Sequence, residues 1–229
     1  MILNVKKRLG TGIYSIREAA YYARVHPGLM ARWVFGNKKG RAVINAEYDP
    51  AERAVSFLDF VQAVAIREIR LVEDITLEQF RQAIEIAEKR GLTYPFAREH
   101  CTYWFPGIQE LLILDPNEKP DQGYIQASGR GRGQRIFTFV ESYLKKIEFG
   151  PDKLAKKYQI FEHHQTPIMM DPQIRFGEPM LPSGYSANAI FDSIKIDGLD
   201  GTIKNFGIPR KEAWAAYQFV NEYIGKTAA

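Results

Sequence analysis

Residues Tyr14–Phe35, YSIREAAYYARVHPGLMARWVF, hold two helix starts so close together that the chain between them must double back. Ser15 with Glu18 three residues later is a capping box: the Ser15 hydroxyl can accept from the Glu18 amide, and the Glu18 carboxylate from the Ser15 amide. Ile16, Ala19, Ala20 and Ala23 then recur at helical spacing. Val25-His26 makes the turn, and Pro27 takes the first position of a second helix, where its missing N–H costs nothing. Leu29, Met30 and Trp33 can face the first helix, which leaves His26, Gly28, Ala31 and Arg32 outward.

Geometry alone leaves two readings open. One is a helix-turn-helix, which lays its second helix in a DNA major groove; the other is a plain helical hairpin in a core. Charge favours the first. Residues 1–41 carry nine basic side chains (Lys6, Lys7, Arg8, Arg17, Arg24, Arg32, Lys38, Lys39, Arg41) against the single acid Glu18, a balance of +8 in a chain of net charge +4. Neutralisation of phosphates by Lys and Arg supplies most non-specific DNA affinity. The basic link GNKKGR (36–41) runs into AVINAEYD (42–49), whose alternation predicts a short strand. Together they read as a wing, with Lys38, Lys39 and Arg41 placed on phosphates.

Ser56 caps a long helix, FLDFVQAVAIREIR, with the apolar stripe Phe57, Phe60, Val61, Val64, Ala65, Ile69 and Leu71. A second box, Thr76 with Gln79, starts a helix through Phe80, Ile84 and Ala87 that ends at Gly91. These stripes must be buried within the chain or across a dimer. Residues 101–114 and 123–137 read as strands, 138–147 as a helix, and 153–161 as another short helix. GRGRGQR (129–135) lacks the spacing of a phosphate-binding loop and reads as a basic hairpin tip.

From Thr166 the texture turns Pro- and Gly-rich, with an extended piece at Ile168–Met170. Three helical segments follow: 187–196 closing at Gly198, 200–206, and 209–223. The last is expected to bury Ala213, Trp214, Ala216, Tyr217, Val220 and Ile224. This is a second helix-turn-helix pattern, but residues 186–229 hold five bases and five acids. Without a positive field it reads first as a dimerisation or partner-binding module.

The fold class expected is therefore mainly α with small β elements: an N-terminal winged helix-turn-helix (1–55), an α/β middle segment (56–165) and a C-terminal helix-turn-helix (166–229). No catalytic residues, cofactor or metal site are expected. His163-His164 and His100-Cys101 lack a second ligand pair at a finger-like spacing, and no nucleophile–base or paired-carboxylate arrangement is legible. A single cysteine fits a reducing compartment. No apolar run reaches the ~18–20 residues of a membrane span and no signal-peptide pattern opens the chain, so a cytoplasmic protein without a membrane partner is expected.

The ordered set YSIREAAYYARVHPGLMARWV, SFLDFVQAVAIREIR, EQFRQAIEIAEKRGLTYPFA, GQRIF with VESYLKKIEF, and DPQIRFGEPMLPSGYSANAIFDSIKIDG resembles the VapB-type antitoxins. These join a MerR-like N-terminal helix-turn-helix to a C-terminal helix-turn-helix domain. The resemblance implies one half of a type II toxin–antitoxin system, a non-enzymatic homodimer. It would neutralise a PIN-like ribonuclease toxin and repress its own promoter by binding double-stranded operator DNA. It places Arg17, His26, Gly28 and Arg32 at DNA-reading positions. Gly28 departs from the long polar side chain frequent there, and GYSANAIF from a GTR sequence followed by an aliphatic residue. Two alternatives stay open: a MerR-like regulator answering a small ligand, and an interaction scaffold without a toxin partner.

Overall fold

The structure, a computed structural model, describes residues 10–38, 40–72, 75–99, 102–105, 110–114, 124–126, 143 and 145–224. Strand β1 (Tyr14–Ser15) leads into α1 (Ile16–Tyr22), and α2 (Pro27–Phe35) follows a short turn. Both halves of the capping box form: Glu18 N–H donates to Ser15 Oγ at 3.2 Å, and Ser15 N–H to the Glu18 carboxylate at 2.8 Å. Gly36 ends α2 with φ 70°, and a Cβ there would stand 2.8 Å from Ala42 N, so only glycine fits. Asn37 and Gly40 then exchange backbone hydrogen bonds of 2.9 and 3.2 Å.

The strand expected over residues 42–49 is not formed. The amides of Val43 and Ile44 both donate to the Trp33 carbonyl, at 2.7 and 2.9 Å, and both side chains are buried. Two successive inward side chains cannot belong to a strand with one solvated face. The basic link is thus a tight turn, and β1 pairs instead with β2 (Ala54–Val55), Tyr14 opposite Val55.

The central element is α3 (Phe57–Val72), capped by Ser56 Oγ, which accepts from Asp59 N–H at 3.1 Å. From Phe57 to Ile66 every side chain except Leu58 is buried, polar Asp59 and Gln62 included. A helix apolar nearly all round belongs inside a core. Leu71, expected in the stripe, is 65% exposed because the last turn runs past the packed region. Helix α4 (Leu77–Lys89) has the Thr76–Gln79 capping box and is followed by Gly91 at φ 77°. Phe80, Ile84 and Ala87 are buried within the single chain, so no second copy is needed to cover them.

Strands β3 (Thr102–Phe105), β4 (Glu110–Leu114) and β5 (Tyr124–Gln126) form an antiparallel sheet in that order, Thr102 opposite Ile113 and Leu112 opposite Gln126. GRGRGQR and most of the expected helix over 138–147 lie outside the described residues, although Ile147 itself begins a strand. A second antiparallel sheet contains β6 (Ile147–Phe149), β7 (Ala155–His163) and β8 (Thr166–Met170), with β7 central. The helix expected over 153–161 is therefore strand β7: Tyr158 and Ile160 alternate inward, and Tyr158 pairs with Ile147 on one side and Met170 on the other. His163 and His164, expected to hold no metal, sit at the tip of this hairpin. Among the described residues no three His, Cys, Asp or Glu side chains are placed to share an ion.

At the C-terminal end, α5 (Ala187–Phe206) is broken at Gly198 (φ 73°, ψ 170°) into the two segments expected, and Gly207 turns the chain at φ 63°. Helix α6 (Arg210–Gln218) continues as a π-helical turn over Phe219–Ile224. Its inward face differs from expectation. Ala213, Ala215, Ala216 and Phe219 are buried, whereas Trp214 is 40% exposed and Tyr217 and Val220 are half-buried. One core joins the N-terminal helix pair, α3, the β6–β8 sheet and the C-terminal helices: Tyr22 stacks on Phe219 at 6.4 Å, Phe161 meets Phe219 at 5.7 Å, and Phe60 meets Tyr158 at 5.9 Å. Tyr14 Oη donates to the Gly177 carbonyl at 3.0 Å, and a Cβ on Gly177 would overlap that hydroxyl. The protein is mainly helical with small antiparallel sheets.

Candidate nucleic-acid interface

The surface begins with the two-sidedness of α2. Met30, Trp33 and Val34 are buried, while Gly28 and Arg32, four residues apart and so on one face, are exposed. The Arg32 side chain makes no hydrogen bond or ion pair among the described residues. Arg17 is exposed in the first turn of α1, and Lys38 is exposed in the basic turn, equally unpaired among the described residues. Lys39 lies outside the described residues.

His26 has a local duty that the sequence did not reveal. Its ring Nδ1 accepts from Gly28 N–H at 3.1 Å, which makes it the N-cap of α2 and leaves Nε2 for any outside partner. A Cβ on Gly28 would lie 3.2 Å from that nitrogen, tighter than an ordinary contact. Gly28 therefore suits the cap and offers no side chain of its own.

Two bases of the cluster are not free. Arg24, in the turn at φ 54°, lies over the Tyr223 ring at 4.9 Å with its Nε buried, so it faces the C-terminal helices. Arg41 is exposed, but its Nη2 stands 3.6 Å from Glu78 Oε1 on α4. Arg81, one turn along, donates from Nε to the Ala42 carbonyl (3.0 Å) and from Nη2 to the Arg41 carbonyl (2.9 Å), and its Nη1 pairs with Glu78 at 3.0 Å. Asn45 Nδ2 donates to Glu88 Oε1 at 2.5 Å. Glu78, Arg81 and Glu88 thus hold residues 41–45 along α4. Their spacing announces a shared face; nothing in the sequence says what it grips.

Beneath the same segment, Glu47 N–H donates to Asp59 Oδ2 at 3.0 Å, and Asp59 Oδ1 is buried without a partner. Burial pushes the Asp59 carboxyl up to about 6, against the pull of the Glu47 and Ser56 hydrogen bonds. A cleft of about 620 Å³, lined by Thr11, Glu47, Tyr94, Asp152 and Lys156 among others, includes none of the expected site residues.

The C-terminal pair presents a different surface. Ile196 is 82% exposed, and Trp214 meets Tyr217 edge-on at 5.6 Å, with Tyr217 in turn 5.9 Å from Phe191. Glu212, buried in this pair, accepts from Ser183 N–H at 2.9 Å. Among the described residues no helix is long and apolar enough to cross a membrane.

No family model matches the chain. A Mycobacterium tuberculosis (strain ATCC 25618 / H37Rv) protein provisionally named as the antitoxin VapB45 is 21% identical over 187 residues, covering 76% of this chain and 78% of that protein. A crystal structure of Rv2018 from Mycobacterium tuberculosis superposes with a TM-score of 0.61 at 17% identity, over 89% of this chain and 96% of that one. The second likeness concerns the fold alone. The first is a distant similarity to a protein named as an antitoxin.

Proposed function

We propose that the chain is the antitoxin of a type II toxin–antitoxin pair, a homodimer that neutralises a PIN-like ribonuclease and represses its own operator. The observation that carries the DNA half is the outward face of α2. Arg32 is exposed on a helix whose opposite side is anchored by Met30 and Trp33, and a helix so presented can enter a major groove. The distant likeness to an antitoxin supports the toxin half. In this reading residues 1–55 form the DNA-facing module, 56–165 the packing segment and 166–229 the partner-facing module. Lys38, Lys39, Arg41 and Arg17 neutralise phosphates and set register, while Arg32 pairs with a guanine edge. A symmetric dimer would set its two α2 helices about 34 Å apart on a palindromic site. The test is an electrophoretic shift on a duplex from upstream of the reading frame at two salt concentrations, paired with co-purification of the neighbouring gene product. No salt-dependent shift would end the repressor reading, and no co-purification the antitoxin reading.

A second reading, an interaction scaffold that does not touch DNA, is favoured by exposed Ile196 and Trp214 on a helix pair without net charge. It predicts a tight complex with a partner protein and no salt-dependent duplex binding.

A further inference from the structure

The basic turn that follows α2 is short, glycine-bounded and lacks flanking strands, yet it is fixed from two directions. On one side the Trp33 carbonyl accepts from Val43 and Ile44, which ties the turn's exit to α2. On the other, Arg81 places its guanidinium on the Arg41 and Ala42 carbonyls and locks its own orientation against Glu78. The Arg81 side chain is only 19% exposed, so these bonds are made in a partly desolvated setting where a planar fork loses little freedom on binding. Gly40, where a Cβ would come 3.9 Å from Arg81 Nη2, brings the turn against the same group. Lys38 lies inside the loop closed by the Asn37–Gly40 bonds, and Arg41 lies between that loop and the clamp.

We propose that Arg81 is the positioning residue of the basic turn, and that its fork on two successive carbonyls fixes where Lys38 and Arg41 meet a nucleic-acid backbone. The proposal rests on the DNA reading above and deepens it. Affinity would then depend on a side chain of α4 that itself touches no phosphate. Lysine cannot replace it: an ammonium keeps the charge and loses the two-carbonyl geometry.

The experiment compares the full-length chain with R81K, K38A/R41A and K38A/R41A/R81K. Binding is measured to a duplex from upstream of the reading frame and to a random duplex across a salt series, alongside amide exchange of residues 40–44. R81K is expected to weaken both duplexes about tenfold and to flatten the salt dependence by about one phosphate. Exchange should quicken at Gly40, Val43 and Ile44, and K38A/R41A/R81K should bind no worse than K38A/R41A. A purely structural role for Arg81 would lower the melting temperature and multiply its loss onto that of K38A/R41A, which would overturn the proposal. Unchanged exchange in R81K with duplex binding intact in the unaltered chain overturns the clamp alone. No salt-dependent binding by the unaltered chain overturns the DNA reading and, with it, the phosphate role of the turn.

Discussion

The helix pairs at the two ends of this chain use the same local devices and present opposite outer faces. Each begins with a serine cap, Ser15 or Ser186, and each second helix has a proline at its start, Pro27 as the first residue of α2 and Pro209 as the N-cap of α6. In the N-terminal pair the tryptophan is the anchor: Trp33 is 1% exposed, and the outward positions carry Arg32 and Gly28. In the C-terminal pair the small residues Ala213, Ala215 and Ala216 go inward, and Trp214 stays on the surface among other aromatic rings. A shared backbone motif therefore says little about partners. The outward side chains are what differ, cationic Arg32 on one pair and apolar Ile196 and Trp214 on the other.

The sharpest way to break this contrast is to truncate both tryptophans. Trp33→Ala should cost about 3–5 kcal/mol in urea unfolding, because it opens a cavity in a packed core, whereas Trp214→Ala should stay within about 0.5 kcal/mol. Equal losses would erase the distinction between anchor and surface.

Next in size is a pH effect that belongs to the N-terminal half. Asp59, which holds the Glu47 amide beneath the segment leaving α2, has its carboxyl raised from 3.8 to about 6 by burial. A raised folded-state value means the native chain holds this proton where the unfolded chain has lost it. The contribution is complete below about 4 and is lost as pH rises through about 6, on the order of 1–3 kcal/mol in all. Unfolding at pH 5 and 7.5 should show this loss in the unaltered protein and not in Asp59→Asn. A slope retained by that variant would assign it to other groups.

On the binding side, Arg32→Ala should reduce discrimination between operator and random duplex by about 1–3 kcal/mol. Lys38→Ala should weaken both alike and lower the salt slope by about one, and Lys211→Ala, on α6, should change neither. A loss for Lys211→Ala matching that for Lys38→Ala would place DNA on the C-terminal pair as well. The mirror experiment is capture of the neighbouring gene product. Ile196→Asp should abolish it while leaving duplex binding intact, and loss of both together would argue against separate faces. The smallest effect expected is from Glu78→Gln. Freeing Arg41 from a surface carboxylate should tighten duplex binding by at most about 1 kcal/mol, read as a modest rise in affinity at low salt.

The elements most legible in the sequence are those decided within a few residues. Ser15 with Glu18, Thr76 with Gln79, Pro27, Gly91, Gly198 and Gly207 each fix a helix end through their own hydrogen bonds or φ angle, and each forms where the pattern places it. The segments misread depend on partners far along the chain. Residues 155–163 become a strand because they pair with 147–149 and 166–170, and 43–44 bend inward because the Trp33 carbonyl takes both amides. The candidate surface divides in the same way. That Arg32 would face outward followed from helical spacing, but that Arg24 would turn to Tyr223, that His26 would spend a ring nitrogen on a cap, and that Arg81 would hold the basic turn did not.

What the sequence determined by itself was the set of helix starts and stops and the uneven balance of charge, +8 over residues 1–41 and zero over 186–229. Capping bonds, φ constraints and charge counts are local, and they hold whatever the rest of the chain does. Only the tertiary structure decided which bases remain free and which tryptophan is an anchor. Those outcomes turn on which distant surface reaches a side chain first, and on whether burial there is matched by a partner.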